Sequence, residues 1–242
     1  MWHSIGDLCL NFVFDVDGTL TPSRGLIDPD FADYFLRFCQ QHPVYLCSGS
    51  DYAKTLEQLG EEICNSVCAV YSCAGNAKYV QGKEIYANEF SLNDQHRAFF
   101  DRLLEFSPFP YRTGNHLEQR PGLYNFSVVG RNADRDEREL YFNYDKIQGE
   151  RVLFSAHINQ RFPELEATVA GEIGIDIYLR GCDKSQIAEL VSPFTFFGDS
   201  VYPGGNDWTI AQKSDRYYRV VDWKNTWEIL KGLDKRSDDV IV

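Results

Sequence analysis

Positive charge is scarce in this chain. Lys and Arg total 24 against 36 Asp and Glu, giving a net charge of −12 and an isoelectric point near 4.8. That balance argues against nucleic acid or an anionic membrane as a main partner. It also means that any phosphorylated ligand must be met by a local gathering of Arg and Lys. Long apolar runs are missing as well: no segment approaches the about 18 residues of a spanning helix, and Met1–Leu10 has neither a basic start nor an adequate apolar run. Metal-type cysteine spacing is absent. The seven cysteines (Cys9, Cys39, Cys47, Cys64, Cys68, Cys73 and Cys182) contain no C-x-x-C, and no His lies near Cys64-x-x-x-Cys68 and Cys73. Cys39, Cys47 and Cys68 sit in apolar surroundings where a thiol packs as a small hydrophobe, so reduced, structural thiols are expected rather than zinc. There is no internal repeat or low-complexity tract. The expectation is a soluble, cytoplasmic protein.

What is present is a globular composition, 43% hydrophobic and 14% aromatic, over a length that fits one large domain or two small ones. The organising stretch is Asn11–Arg24, NFVFDVDGTLTPSR. An apolar strand ends in Asp15, and Asp17-Gly18-Thr19 follow at once. Open α/β sheets place their chemistry at such strand ends, and an extended end points residues two apart the same way. One carboxylate suits a nucleophile, the other a general acid/base, and both suit a divalent cation. The bland alternative is a solvated Asp-Gly turn.

Downstream, Asp28-Pro29 starts a helix with Phe31, Phe35 and Phe38 at helical spacing, stopped by Pro43. Val44–Cys47 reads as a strand ending in Ser48-Gly49-Ser50-Asp51, a natural phosphate loop before a helix that runs through Leu59. Cys68–Ser72 reads as a third strand and Lys78–Ala87 as a hairpin turning at Gln81-Gly82. The pattern then changes to α+β. A helix capped by Ser91 runs to about Glu105, and strands His116–Gln119 and Leu123–Val129 pair around Pro121-Gly122. Helices Asp134–Asn143 and Glu150–Phe162 follow, then strands Glu166–Val169 and Gly174–Leu179. The first pattern returns with a helix over Asp183–Val191, strands Phe194–Phe197 and Tyr218–Val221, a helix over Thr226–Leu233 and a polar tail, Asp234–Val242. The implied fold is α/β: a Rossmann-like core with a parallel sheet (1–87 and 183–242) interrupted by an α+β cap (88–182). Hinges are expected near Ala87–Phe90 and Gly181–Asp183.

Four pieces fall at core strand ends: Asp15/Asp17, Ser48–Ser50, Lys184, and Gly198-Asp199 with Gly204-Gly205-Asn206-Asp207. Together they can surround one phosphoryl group and one cation, which is most of what phosphoryl transfer requires. Their order and residue types resemble the haloacid dehalogenase superfamily and, within it, the eukaryotic-type phosphomannomutases. The matching stretches are DVDGTLTPSR (15–24), SGSDYAKTLEQLG (48–60), RPGLYNFSVVGRNADRDER (120–138), IDIYLRGCDKSQ (175–186) and FFGDSVYPGGND (196–207).

The resemblance implies Asp15 as nucleophile through an aspartyl phosphate, Asp17 as general acid/base and Lys184 as the neutralising cation. It implies Mg²⁺ held by Asp15, the Asp17 carbonyl and Asp199, supported by Asn206 and Asp207. The serine loop, Ser48-Gly49-Ser50, would hold the transferring phosphoryl, with either hydroxyl in contact. Arg24, Arg120, Arg131 and Arg138 would grip phosphate and Asp176 the sugar hydroxyls; Asn125, which strand alternation places on one face with Ser127, is a further substrate- or phosphate-binding candidate. For the cap arginines the bland reading is a solvated face paired with Asp134, Asp136 and Glu137. The implied reaction is a phosphohexomutase interconverting mannose 1-phosphate and mannose 6-phosphate, with a hexose 1,6-bisphosphate activator and a homodimer through the cap. The chain departs from the family at Ser48, Gly174, Leu179, Arg180 and Trp208. The alternatives are a sugar-phosphate phosphatase using the same residues, and an idle sugar-phosphate-binding protein.

Overall fold

The computed structural model describes residues 10–238; Cys9 and the end of the expected polar tail, residues 239–242, lie outside them. The chain divides into two units. One comprises the segment up to Tyr86, Lys184–Pro203 and the segment from Asp207; the other comprises Ala87–Asp183 with Gly204–Asn206.

The first unit begins β1 (Asn11–Phe14), α1 (Pro29–Gln41), β2 (Val44–Cys47), α2 (Tyr52–Ser66), β3 (Ala69–Ser72), β4 (Ala77–Val80) and β5 (Lys83–Ala87). The second unit supplies α3 (Asp94–Phe106), β6 (Leu117–Arg120), β7 (Leu123–Phe126), α4 (Arg135–Gln148), α5 (Glu150–Arg161), β8 (Leu165–Ala170) and β9 (Gly174–Leu179). A 3₁₀ turn over Lys184–Ile187 then returns to the first unit, which closes with α6 (Ala188–Val191), β10 (Phe194–Gly198), α7 (Trp208–Lys213), β11 (Arg216–Arg219) and α8 (Trp223–Asp238).

The seven-stranded sheet has the order β11-β10-β1-β2-β3-β4-β5. Its first five strands pair in parallel, and β4 turns back antiparallel on β3. Alternation along β1 sends Phe14 to one face and Val13 to the other. Phe14 packs with Phe31, Phe35 and Phe38 of α1 and with Leu59 and Ile63 of α2. Its ring also stacks on that of its register partner Phe197 at 4.7 Å. Val13 packs on the other face with Ile187, Val191 and Ile210. A sheet covered on both faces needs near-continuous apolar strands, which is what β1 and β10 are.

The second unit is a four-stranded antiparallel sheet, order β6-β7-β9-β8, with one face packed on helices. Tyr124, Phe126, Ile175, Ile177, Leu165 and Ala167 meet Phe100, Tyr141, Phe154 and Ile158 there.

Several expected elements shift. The helix expected to end at Leu59 leaves helical geometry at Gly60 (φ 80°) and resumes to Ser66, because Ile63 and Cys64 still have core to fill. Asn93, not Ser91, caps α3 through a capping box with His96. The strand expected over Leu123–Val129 ends at Phe126, and α4 runs past Asn143 to Gln148. Asp183–Val191 is a 3₁₀ turn followed by one helical turn. The last strand is Arg216–Arg219, not Tyr218–Val221, and α8 extends through Asp238 where a polar tail was expected. Cys68, expected to be packed, is exposed, whereas Cys47 is buried and Cys39 half-buried; none of the six described cysteines is in a disulfide.

Candidate active site

Parallel pairing carries the ends of β1, β2, β3 and β10 to one sheet edge, and β1 lies between β10 and β2. The ladder continues one residue past β1, where the Asp15 amide donates to the Phe197 carbonyl. Asp15 is therefore fixed in backbone and buried in side chain, at 4% exposure.

Lys184 reaches it from the 3₁₀ turn. Its Nζ donates to Asp15 Oδ1 at 2.6 Å and to Asp207 Oδ1 at 2.6 Å, with the ammonium fully buried. Asp207 also accepts the Ser200 amide at Oδ2, and Thr19 Oγ1 donates to Asp15 Oδ2 at 3.3 Å. Asp199 completes the group: one carboxylate oxygen from each of Asp15, Asp199 and Asp207 lies within 4.8 Å of the others. Two glycines make that crowding feasible. A Cβ on Gly18 (φ +77°) would stand 2.8 Å from Asp199 Oδ2, and one on Gly198 2.5 Å from Asp207 Oδ2.

Burial pushes the Asp15 carboxyl well above the usual range, against the pull of Lys184 and with the push of Asp207 and Asp199. Asp199 is raised as well, by burial and then by Asp207. Burial works against the Lys184 ammonium, but Asp15 and Asp207 outweigh it and hold the group protonated. Three carboxylates thus share one ammonium. Oxygen donors carrying excess negative charge in a small space suit a hard divalent cation, so the residues present fit one.

Asp17 stands beside this group, with its carboxylate held by three donors. The Arg24 amide donates to Oδ1 at 2.6 Å, Gln58 Nε2 to Oδ1 at 2.9 Å and Ser50 Oγ to Oδ2 at 3.4 Å. Arg24 therefore meets the site through its backbone, in left-handed geometry (φ 56°), while the residue itself is exposed. The serine loop is closed internally: Ser48 is buried and its Oγ accepts the Ser50 amide at 3.0 Å, with half-buried Gly49 between them. Gln58 was not singled out from sequence. It is a buried glutamine on α2 that also donates to Thr21 Oγ1 and the Gly25 carbonyl.

In the second unit, Arg120 Nη2 donates to Glu118 Oε2 at 3.0 Å, and Arg131 Nε donates to the same oxygen. Burial alone would raise the Glu118 carboxyl; the two arginines outweigh it and hold it below its usual value. Glu118 is thus a shared partner of these two arginines. Arg138 instead donates to the carbonyls of Ala133 and Arg131, each at 3.0 Å. Asn125 and Asp176 are register partners on β7 and β9, and Asn125 Nδ2 donates to Asp176 Oδ1 at 2.7 Å.

The comparisons with known proteins bear on this arrangement. The family pattern described as "Eukaryotic phosphomannomutase" matches residues 31–234. A phosphomannomutase of Arabidopsis thaliana is 32% identical over 211 residues, 83% of this chain and 86% of that one. A probable phosphomannomutase of Caenorhabditis elegans is 30% identical over 243 residues, 92% of this chain and 96% of that one. Among solved structures, a haloacid dehalogenase-like hydrolase from Bacteroides thetaiotaomicron superposes with a TM-score of 0.58 at 13% identity, covering 93% of this chain and 99% of that one. A trehalose-6-phosphate phosphatase related protein superposes with a TM-score of 0.54 at 16% identity, covering 95% and 99%. The two structural likenesses speak for the fold, and the sequence likenesses reach further. A haloacid dehalogenase-type sheet with its acidic edge, matched over most of its length by these relatives, places the chain in the eukaryotic phosphomannomutase family.

Proposed function

We infer that the protein is a phosphomannomutase, interconverting mannose 1-phosphate and mannose 6-phosphate. The observation that carries the reading is Asp15 fixed at the end of the central strand, one oxygen on Lys184, in a chain matched by phosphomannomutases over most of its length. A hydrolase outcome on the same residues is not favoured by those relatives. Nor is an idle binding protein, since no reacting group is missing.

In this reading a carboxylate oxygen of Asp15 attacks one phosphorus of a hexose 1,6-bisphosphate, the bond to the sugar oxygen breaks, and the departing oxygen takes a proton from Asp17, leaving a hexose monophosphate and the aspartyl phosphate. In the return step Asp17 removes the proton from the sugar hydroxyl that attacks the aspartyl phosphate. When that hydroxyl belongs to the incoming hexose monophosphate, a 1,6-bisphosphate forms; turned end for end, it returns its other phosphoryl to Asp15 and leaves with its phosphate on the other carbon, so a hexose 1,6-bisphosphate is both intermediate and activator. Lys184 stays protonated throughout and offsets charge on Asp15 and the phosphoryl oxygens. Ser48–Ser50 hold the phosphoryl group, with the Ser50 hydroxyl also fixing Asp17. Asp15, Asp199 and Asp207 would hold Mg²⁺, joined by the Asp17 carbonyl; when bound, the ion supplies further positive charge for the transferring group.

Residues 1–87 and 183–242 are read as the catalytic domain, and 88–182 as the cap. Arg120, Arg131 and Arg138 would take the phosphate that is not reacting, because forked guanidiniums match a dianion. A homodimer through the cap belongs to the same reading. Described cysteines without disulfides fit a reducing, cytoplasmic setting, and among the described residues no helix is long and apolar enough to cross a membrane.

The test is an assay with Mg²⁺ and mannose 1-phosphate, with and without glucose 1,6-bisphosphate, following mannose 6-phosphate and free phosphate together. Bisphosphate-stimulated mannose 6-phosphate with little free phosphate is expected. Free phosphate without isomerisation would overturn the mutase reading.

A further inference from the structure

One register row runs across the four-stranded sheet of the second unit: Glu118 on β6, Asn125 on β7, Asp176 on β9 and Thr168 on β8. Directly opposed residues in antiparallel strands share a face, and within this row Asn125 leans onto Asp176. Room for that comes from Gly174, two residues earlier on β9. A Cβ at position 174 would stand 2.5 Å from Asn125 Nδ2 and 2.8 Å from its Oδ1.

Gly174 lies in extended strand and is not among the residues with positive φ. The backbone there accepts any residue, so glycine is needed for space and not for conformation. Nor can the backbone easily draw back. Arg151, buried and paired with Asp145 at 2.8 Å, donates to the carbonyls of Gly171 and Gly174. Asn125 is 4% exposed, and its Oδ1 is buried with no hydrogen-bond partner. That burial disfavours the rotamer, so the bond to Asp176 is what sets it.

We propose that Gly174 and Asn125 form one specificity element for the hexose ring: the bare Cα at 174 lets Asn125 lie across and orient the Asp176 carboxylate that receives the sugar hydroxyls. The proposal rests on the functional reading above, in which Asp176 serves the sugar. Asn125 is then a positioning residue acting through Asp176. Carboxylates discriminate strongly among hydroxyl arrangements when their own orientation is fixed, because a misplaced hydroxyl leaves a buried acceptor unpaired.

The experiment compares Gly174→Ala, Asn125→Ala and the double variant with the unsubstituted protein. KM and kcat are measured for mannose 1-phosphate and glucose 1-phosphate, thermal melting checks folding, and calorimetric titration measures mannose 1-phosphate binding. Each single change is expected to raise KM for mannose 1-phosphate about tenfold, with kcat within about twofold, and to change the mannose-to-glucose preference. The double variant should be no worse than the poorer single one, because both remove the same contact. Additive losses, or an unchanged preference in folded variants, would overturn the proposal. If Gly174→Ala fails to fold, the same readouts on Asn125→Ala decide it. Unsubstituted protein that binds mannose 1-phosphate without isomerising it, with binding weakened in the variants, would sink the mutase reading and keep this one. Absence of binding to the unsubstituted protein would overturn both.

Discussion

Asp17 has a carboxylate held by a backbone amide, a carboxamide and a hydroxyl drawn from three stretches of chain, Arg24, Gln58 and Ser50. Gln58→Leu removes the one donor that also ties Thr21 and Gly25 to the turn. A hydrogen bond to a charged group is worth about 1.5–3 kcal/mol, so kcat should fall roughly 10- to 100-fold with little change in KM, measured in the coupled mutase assay. Nothing in the local sequence marks Gln58, which reads as one polar residue on an amphipathic helix; only the packing of α2 against the β1 turn reveals it. Asp15, Asp17, Asp199 and Asp207 were legible because each follows an apolar strand or lies in a Gly-containing turn, and Lys184 through its place in the order of these pieces along the chain. Removing the proposed nucleophile by Asp15→Asn should cost about a thousandfold or more in turnover. Lys184→Met should do something different. It leaves Asp15 and Asp207 buried together without their cation, and loss of about 3–5 kcal/mol is expected in urea unfolding.

Among the elements, α4 shows what sequence signals can and cannot deliver. Asp134 accepts the Glu137 amide while Glu137 accepts the Asp134 amide, a reciprocal cap written in the sequence as D-x-x-E. Asp134→Ala should therefore cost about 1 kcal/mol, read as a lowered melting temperature. Strands β1, β2, β3 and β10 were legible for a similar local reason: short apolar runs that end in turn residues. The misplaced elements lacked such a reason. Ser91 and Asn93 are both competent caps, and tertiary burial of Leu92 and His96 selects Asn93. Edge strand β11, RYYR, has no apolar periodicity and takes its register from pairing with β10. At the edge strand β6, Glu118 supplies a pH signature. Its carboxyl is depressed in the folded protein by Arg120 and Arg131, so the stabilisation is present above the unfolded carboxyl value and lost as pH falls through the folded one. Glu118→Gln should destabilise the protein at pH 7, and the gap should close at a pH below the ordinary glutamate range, as followed by melting temperature.

At the scale of the whole molecule, three acidic side chains gathered around one ammonium should make folding stability depend on a cation. Mg²⁺ at about 100 times its dissociation constant should add about 2.7 kcal/mol, seen as a rise in melting temperature that chelation reverses. Asp199→Asn should abolish most of that rise, and a melting temperature indifferent to Mg²⁺ would contradict the site. The sheet order carries one more consequence, for the protein's birth on the ribosome. β1 lies between β2, which follows it closely, and β10, whose residues pair with it from some 180 positions downstream. Lys184 and Asp207 are equally late arrivals. At translation speeds of about 5–20 residues per second, Asp15 spends roughly ten to thirty seconds without its counter-charge, while one edge of β1 waits unpaired. An emerging chain in that interval offers a short apolar strand to any neighbour able to pair with it. Chaperone occupancy of nascent chains should therefore peak before residue 198 has left the exit tunnel and fall once β10 is free to dock.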